Sequence, residues 1–476
     1  MRAEVWLLLI WGALFSLGVT GYPNLLDNER RIGAFALDVL QNGNWIAQHE
    51  ITGEFMAKPP GLTWLVVLFS WCTGGLTLFS LYLPSALATL GIALLIFRTG
   101  RKHFGERAGL LAAFMYLCSY VADKQLTTAR YDGLLTLPVT IGAIAAYQGW
   151  KEGKGWLVFW VAMTAGTMVK GPLVFVLSCA GLLAVMMERN TGQLFRWRWQ
   201  HAAGIAIFGV ICGGWFALIL VEHRDEFFGK IIQRELVGHA LSDRGKYFPG
   251  ERIWEAPWNV LVHFLPWTPL GIMGLVGALR RNPADPDKSF QRFLACWFLF
   301  GLFLFSIAAH QRGRLLWPLI PPLALLAGRT LALMLSSITE RVVYRWAAIV
   351  GVVTISASAL FHQILKRHSR KCQQTLAMRE LAGMLRRELG EKPAVTYVDA
   401  PFAVQFYLGH LRFNTPATNA ANLLNGANAA HILTGQRSAE HVLSGVTNQV
   451  FSLYVWPSQN EPTVQLLSNR RALTTK

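Results

Sequence analysis

The sequence predicts a mostly α-helical, polytopic membrane bundle followed by a small C-terminal α/β domain. Three observations predict it. Of 476 residues, 53% are hydrophobic and 15% are charged, where an ordinary soluble domain carries about 25% charged residues. Apolar stretches approaching the roughly 20 residues that a bilayer requires recur up to residue 363. Beyond that point short apolar runs alternate with helical periodicity and turn residues, the pattern of a small α/β domain.

Apolar periodicity places helices at 4–20, 81–98, 107–122, 133–149, 156–169, 171–187, 202–221, 259–279, 293–309, 315–335 and 343–363. Residues 61–74 are too short to cross comfortably and read as a half-embedded segment. Residues 1–20 have the outline of a secretory leader. An uncleaved first helix is expected, because a charged motif that needs a membrane tether follows closely.

With the N-terminus inside, the short basic connections fall on the cytoplasmic side, as the positive-inside rule asks. They are Arg98 to Lys102, Lys151 to Lys154, the stretch with Arg189, Arg196 and Arg198, Arg280-Arg281 with Lys288 and Arg292, and Arg341 to Arg345. Counting 61–74 as a full span would invert all of them. The same orientation sends 21–80, 123–132, Lys170-Gly171-Pro172, 222–258 and 310–314 to the outer face. The expected organisation is a transmembrane domain over 1–363, with its first outer loop at 21–80, and a soluble extracytoplasmic domain over 364–476. The latter should contain a helix near 371–389 and strands at 394–398 and 450–455.

The net charge of +17 sits in clusters between apolar stretches, so it serves orientation and anionic lipid contact, and nucleic acid is excluded. Five of the six cysteines fall in apolar stretches and only Cys372 lies in the tail. With no CxxC pair, neither a zinc site nor a disulfide framework is signalled.

The chemistry concentrates in one polar stretch, Asp27-Asn28-Glu29-Arg30-Arg31 through Gly43-Asn44-Trp45 to Lys58-Pro59-Pro60. Charge beside the hydrocarbon region is costly and marks function. Asp27 and Glu29 suit either a helix start or a reacting site, and the two roles are compatible. The prolines after Lys58 fix its backbone; the lysine is either a phosphate ligand or a snorkelling side chain. Arg130 stands beside Asp132 and can share its charge. Lys170 interrupts an apolar stretch just before Gly171-Pro172. His310, Arg312 and Arg314 form a cationic turn suited to a phosphate or to lipid headgroups. In the long loop, Arg234-Glu235 and Arg244-Gly245-Lys246-Tyr247 suit either a cover over the cleft or plain solvation. His223, His239 and His263 lack metal-ligand spacing and read as structural.

These motifs, in this order, resemble the glycosyltransferases that use polyprenyl-phosphate sugars: the bacterial lipid A aminoarabinose transferases and, more distantly, the protein O-mannosyltransferases. The match covers about residues 5–335 and more faintly the tail. It rests on the first-loop pattern just quoted, on Ala129-Arg130-Tyr131-Asp132, on Lys170-Gly171-Pro172 and on the Trp317–Gly328 stretch. The resemblance implies a GT-C-type bundle of about 11–13 transmembrane helices. It implies transfer of a sugar by inverting displacement from an undecaprenyl-phosphate-like donor to a lipid A, glycan or protein acceptor. The site would face the periplasm from the bacterial inner membrane. Asp27, Glu29 and Asp132 would be catalytic, and Arg31, Lys58, Arg130, Lys170, His310, Arg312 and Arg314 would bind substrate and phosphate.

Two positions depart from the pattern. The family aspartate falls on Asn28, which leaves the role to Asp27 or Glu29. The acidic residue that often precedes the family lysine, implicated in metal binding in some members, is Ala57 here, so a divalent metal stays open but is not signalled, and no other cofactor is. A transporter or flippase of lipid-linked sugars is the competing reading. Transporters carry ionisable groups near the bilayer midplane, whereas the helix interiors here are nearly free of acidic residues. A non-catalytic relative that binds a lipid-linked sugar is a third.

Overall fold

The computed structural model describes residues 3–21, 25, 28–188, 196–226, 228–229, 250–280, 285–308, 311–456 and 464–471. Asp27, His310 and the loop residues Arg234, Glu235, His239, Arg244 and Lys246 lie outside them. The chain divides into two compact units. The first comprises Met1–Gly18, Ala57–Leu62 and Tyr82–Leu360; the second comprises Val19–Met56, Thr63–Leu81 and Phe361–Lys476.

Each apolar stretch read from the sequence contains helix, but fewer are long spans than expected. Among the described residues six helices are long and apolar enough to cross a membrane: Ala3–Thr20, Leu78–Phe104, Trp199–Glu222, Lys288–Ile307, Gly313–Met334 and Glu340–Leu365. A seventh arises if Glu255–His263 and Thr268–Leu279, bent by 116°, count as one broken span. The expected helix 107–122 breaks into Glu106–Leu117 and Tyr120–Leu126, because the Ser119 side chain accepts from Ala122 N–H and starts a new helix. The stretch 171–187 is interrupted by a 3₁₀ turn at Ala180–Leu183. Trp156–Lys170 has 15 residues, about 22 Å of helix against a hydrocarbon core of about 30 Å. Gly61–Cys72, the expected half-embedded segment, is a 12-residue apolar helix.

Helix packing in the first unit depends on missing side chains. A Cβ on Gly328 would lie 2.5 Å from Ala112 Cβ and 2.6 Å from Ala108 O, and one on Gly100 would lie 2.6 Å from Gly109 Cα. Small residues at such crossings let backbones approach and gain dispersion contact where no hydrophobic effect drives association. Polar ties add direction. Trp11 Nε1 donates to Ala86 O at 2.7 Å, and Ser358 Oγ donates to Asp123 Oδ1 at 3.0 Å. On the basic side Arg329 pairs with Asp285 and Lys151 with Glu188, each at 2.6 Å.

The second unit contains a four-stranded sheet. Its strands are β1 (Val395–Val398), β2 (His431–Gly435), β3 (Phe451–Trp456) and β4 (Val464–Ser468), in the order β1-β2-β4-β3. β1 and β2 run parallel, from Val395↔His431 to Val398↔Thr434, while β4 is antiparallel to both its neighbours. Val398, Ile432 and Leu467 from three strands pack with Ala420, Leu424 and Val442 from the covering helices. Helix Arg370–Leu389 starts where the Ser369 side chain accepts from Cys372 N–H. The sequence indicated this helix, β1 and β3; β2 and β4 were not expected.

The first loop packs onto the tail within this unit. Helix Asn28–Asn42 approaches Phe402 so closely that a Cβ on Gly33 would lie 2.8 Å from Phe402 Cε1. Gln41 Nε2 donates to Gly409 O at 2.5 Å, its Oε1 accepts from Leu411 N–H at 2.8 Å, and Asn414 N–H donates to Ile51 O at 2.8 Å.

Substituting Gly328→Ala overpacks the crossing with Glu106–Leu117 and is expected to cost about 1–3 kcal/mol. Gly277→Ala, with nothing within 4 Å of its added methyl, should be neutral or slightly stabilising. Melting of the detergent-solubilised variants separates the two; equal melting temperatures would refute the close-packing account.

Candidate active site

The first unit gathers charge around one carboxylate. Arg130 is extended at φ −135°, ψ 140°, and helix Tyr131–Glu152 begins after it. Asp132 thus lies in a first helical turn, where the helix dipole favours negative charge. Lys170 is the last residue of helix Trp156–Lys170, where the dipole favours a cation. That helix stops because Gly171 takes φ 92°, a conformation open to glycine, and Pro172 follows. Arg314 enters from the 3₁₀ turn Gly313–Leu319.

The three side chains meet. Lys170 Nζ donates to Asp132 Oδ1, and Arg314 Nε lies 3.1 Å from Asp132 Oδ2. The carboxylate is only 8% exposed, against 14% for the lysine and 25% for the arginine. The sequence pointed to Arg130 as a partner of Asp132; the structure adds Lys170 and Arg314. Lys58 joins the group. Its ammonium lies 5.3 Å from the centroid of the Tyr131 ring, and its charge acts on Asp132. A residue that sequence reasoning missed sets this approach. A Cβ on Gly61 would lie 2.6 Å from Met168 O, so only glycine lets the segment after Lys58-Pro59-Pro60 lie against the end of the helix that carries Lys170.

Three cations from three segments therefore gather about one nearly buried carboxylate. In a low-dielectric setting cations grouped in this way favour an anion. Arg312, exposed, lines a separate small pocket with Asn259 and Gln311. The His263 ring stacks on Tyr120 at 5.5 Å.

The first-loop residues belong to the second unit. Glu29 is fully buried in the first turn of Asn28–Asn42. Arg31, expected as a phosphate ligand, is held by carboxylates: Nε lies 3.0 Å from Glu50 Oε2, and Nη2 lies 3.6 Å from Glu54 Oε2. Arg30 reaches Glu50 at 4.0 Å. Sequence reasoning had given Glu50 no role.

It also passed over Asp38, which is fully buried. Asp38 accepts from Asn42 Nδ2 at 2.7 Å, from Asn44 Nδ2 at 2.9 Å and from His49 N–H at 2.8 Å. The Gly43-Asn44-Trp45 stop thereby gains a physical purpose. Gly43 at φ 72° turns the chain, Asn44 folds back on Asp38, and Trp45 O accepts from Trp64 Nε1 at 2.9 Å. A carboxylate on the apolar face of a helix was the available signal. Burial pushes the Asp38 pKa up, but hydrogen bonds from His49, Asn42 and Asn44 outweigh it and hold the carboxyl below its ordinary 3.8. Among the described residues no three His, Cys, Asp or Glu side chains are grouped to hold a metal ion.

Residues 57–215, which include Lys58, Asp132 and Lys170, match the family model of dolichyl-phosphate-mannose-protein mannosyltransferase. An undecaprenyl phosphate-alpha-4-amino-4-deoxy-L-arabinose arabinosyl transferase of Pseudomonas fluorescens is 26% identical over 345 residues, covering 70% of this chain and 57% of that protein. The corresponding transferase of Pectobacterium carotovorum is 26% identical over 375 residues, covering 76% and 66%. The crystal structure of ArnT from Cupriavidus metallidurans bound to undecaprenyl phosphate superimposes with a TM-score of 0.76 at 16% identity, over the whole of both chains. The chain has the fold of the polytopic membrane glycosyltransferases. The Archaeoglobus fulgidus oligosaccharyltransferase is more distant, with a TM-score of 0.50 at 11% identity over 94% of this chain and 70% of that one. The chain spans less than two thirds of the length of these curated relatives.

Two outcomes test the geometry of these sites. Asp132→Asn leaves Lys170 and Arg314 without their counter-charge and should cost about 3 kcal/mol. Adding Lys170→Met should recover part of the loss, and unfolding of the single and double variants reads this; additive losses would refute the coupling. The depressed Asp38 pKa contributes stability that is complete above the unfolded value and is lost as pH falls through the folded value. Wild type should therefore lose stability between about pH 5 and pH 3 more steeply than Asp38→Asn in parallel melts.

Proposed function

We propose that this protein is an integral-membrane glycosyltransferase. It moves a sugar from an undecaprenyl-phosphate-like donor to a lipid A, glycan or protein acceptor, on the outer face of a bacterial inner membrane. The observation that carries this reading is the group of Lys58, Lys170 and Arg314 around Asp132.

In such a transfer the bond between the anomeric carbon and the phosphate oxygen breaks as the acceptor attacks from the opposite face. The sugar becomes oxocarbenium-like and the leaving phosphate gains negative charge. Lys58, Lys170 and Arg314 stabilise that growing charge. Asp132 keeps two of them in place and prevents their mutual repulsion from dispersing them. The acceptor proton needs a carboxylate base, a role that the resemblance assigns to Asp27 or Glu29 of the first loop.

Transport of a lipid-linked sugar is the competing reading. Asp132 opens a helix, Lys170 closes one and Arg314 sits in a turn before one; helix ends of this kind serve transporters as well, so uptake into vesicles holding the protein separates the two readings.

With the protein in nanodiscs, Asp132→Asn and Lys58→Met should each lower transfer from a labelled polyprenyl-phosphate sugar at least about 100-fold. Asp27→Asn or Glu29→Gln should do the same. Mass spectrometry of envelope lipids and glycans from cells with and without the gene should reveal one lost sugar increment. Wild-type rates from all these variants would overturn the assignment.

A further inference from the structure

Helix Glu340–Leu365 is basic at both ends. Arg341 and Arg345 stand in its first two turns, and Lys366, Arg367, Arg370 and Lys371 follow its last residue closely. The positive-inside rule uses such residues at one end of a span, since equal charge at both ends gives no direction. The sequence has no aspartate or glutamate between Glu340 and Glu380 to offset either group.

The second group lies at the edge of the hydrocarbon. The 26 residues of the helix rise about 39 Å, against a hydrocarbon core of about 30 Å, so the span ends among the headgroups. Exposed side chains change character there within two residues. Phe361, Ile364 and Leu365 are exposed and apolar, Leu365 at 60%, while Arg367, His368, Arg370 and Lys371 are exposed and polar. A second span ends at the same level: Gln363 Nε2 donates to Thr20 Oγ1 at 3.0 Å, and Thr20 closes Ala3–Thr20. The Lys366 ammonium lies 4.7 Å from the centroid of the Phe361 ring, the posture of a side chain at an apolar–polar boundary.

The turn that follows is held by its own hydrogen bonds. Ser369 N–H donates to Lys366 O at 2.9 Å, Gln373 Nε2 donates to Arg367 O at 2.8 Å, and His368 Nδ1 lies 2.7 Å from Ile364 O. Helix Arg370–Leu389 then buries Cys372, Thr375 and Met378, which leaves Arg370 and Lys371 on its exposed side. The backbone is fixed before a ligand arrives, so little ordering opposes binding. Helix stability does not account for these two cations. They occupy a first turn that has no acidic residue, where the dipole disfavours positive charge.

We propose that Lys366–Lys371 is a binding surface for anionic phospholipid headgroups in the leaflet from which the tail emerges. Phosphodiester oxygens of that leaflet accept from Arg367, Arg370 and Lys371, while Phe361, Ile364 and Leu365 stay among the acyl chains. Each cation at such a surface multiplies affinity about fivefold. The surface operates whether or not the protein transfers sugar.

The test is photolabelling of the full chain in nanodiscs that contain a trace of phosphatidylglycerol with a photoreactive headgroup, followed by peptide mapping. Residues 361–380 should be labelled at least about tenfold more by this lipid than by the phosphatidylcholine analogue. Raising salt from about 0.1 M to about 1 M should remove most of the difference. Arg367→Gln with Arg370→Gln should bring the two analogues within about twofold of each other. Arg367→Lys with Arg370→Lys should keep the preference, and so should Arg341→Gln with Arg345→Gln at the other end of the helix. Equal labelling of wild type by the two analogues would make the turn a plain neighbour of lipid. Displacement by millimolar inorganic phosphate would make it a site for free anions. Displacement by extracted envelope glycolipid in preference to phosphatidylglycerol would make it a substrate contact. Each of these results overturns the proposal. Should the glutamine pair fail to fold, the analogue comparison and the salt series on wild type decide alone.

Discussion

The first unit depends on the attachment of the Asp132 carboxylate to Lys170 and Arg314. That contact joins the start of one helix, the end of another and the turn before a third. Without the carboxylate, the two cations would face each other in a setting that screens charge poorly. With it, a positively charged cluster can exist near the membrane at tolerable cost. The local folding devices serve this arrangement. Gly171 and Pro172 stop a helix at the lysine, and Gly61 lets the Lys58 segment come close. The helix dipoles place opposite charges at opposite kinds of ends.

The second unit uses carboxylates for a different purpose. Asp38 is consumed by hydrogen bonds from Asn42, Asn44 and His49, and it shapes the turn that ends the loop helix. Glu50 restrains Arg31 and Arg30. Asp38 organises the backbone from Asn42 to His49 and Glu50 holds the two arginines that follow Glu29, so their pairing leaves less charge for substrate than a count of residues suggests.

Much of this was legible in the sequence because charges stand out against apolar stretches. Lys58, Asp132, Lys170 and Arg314 were each identified from short motifs, and they come together. What could not be read was pairing. Arg130 was expected beside Asp132 on proximity in the chain; that Lys170 and Arg314 reach the same carboxylate from distant segments left no mark in the sequence. The same limit applies to Arg31, whose partner Glu50 had no recognisable pattern. Helix ends were also hidden. Ser119 and the turn at Ala180–Leu183 break stretches whose hydropathy continues unchanged, so hydropathy overstated the number of long spans. Strands β2 and β4 are short, and their apolar residues pack on both sheet and helices, which leaves little alternation to detect.

The loop bearing Glu29 is stitched to the tail through Gln41, Gly409, Leu411, Asn414 and the Phe402 ring against Gly33. Loop and tail are therefore one structural module despite lying more than 350 residues apart in the chain. A chimera that exchanged the C-terminal domain for that of a cousin would inherit a mismatched cradle. Grafting would have to carry both pieces together.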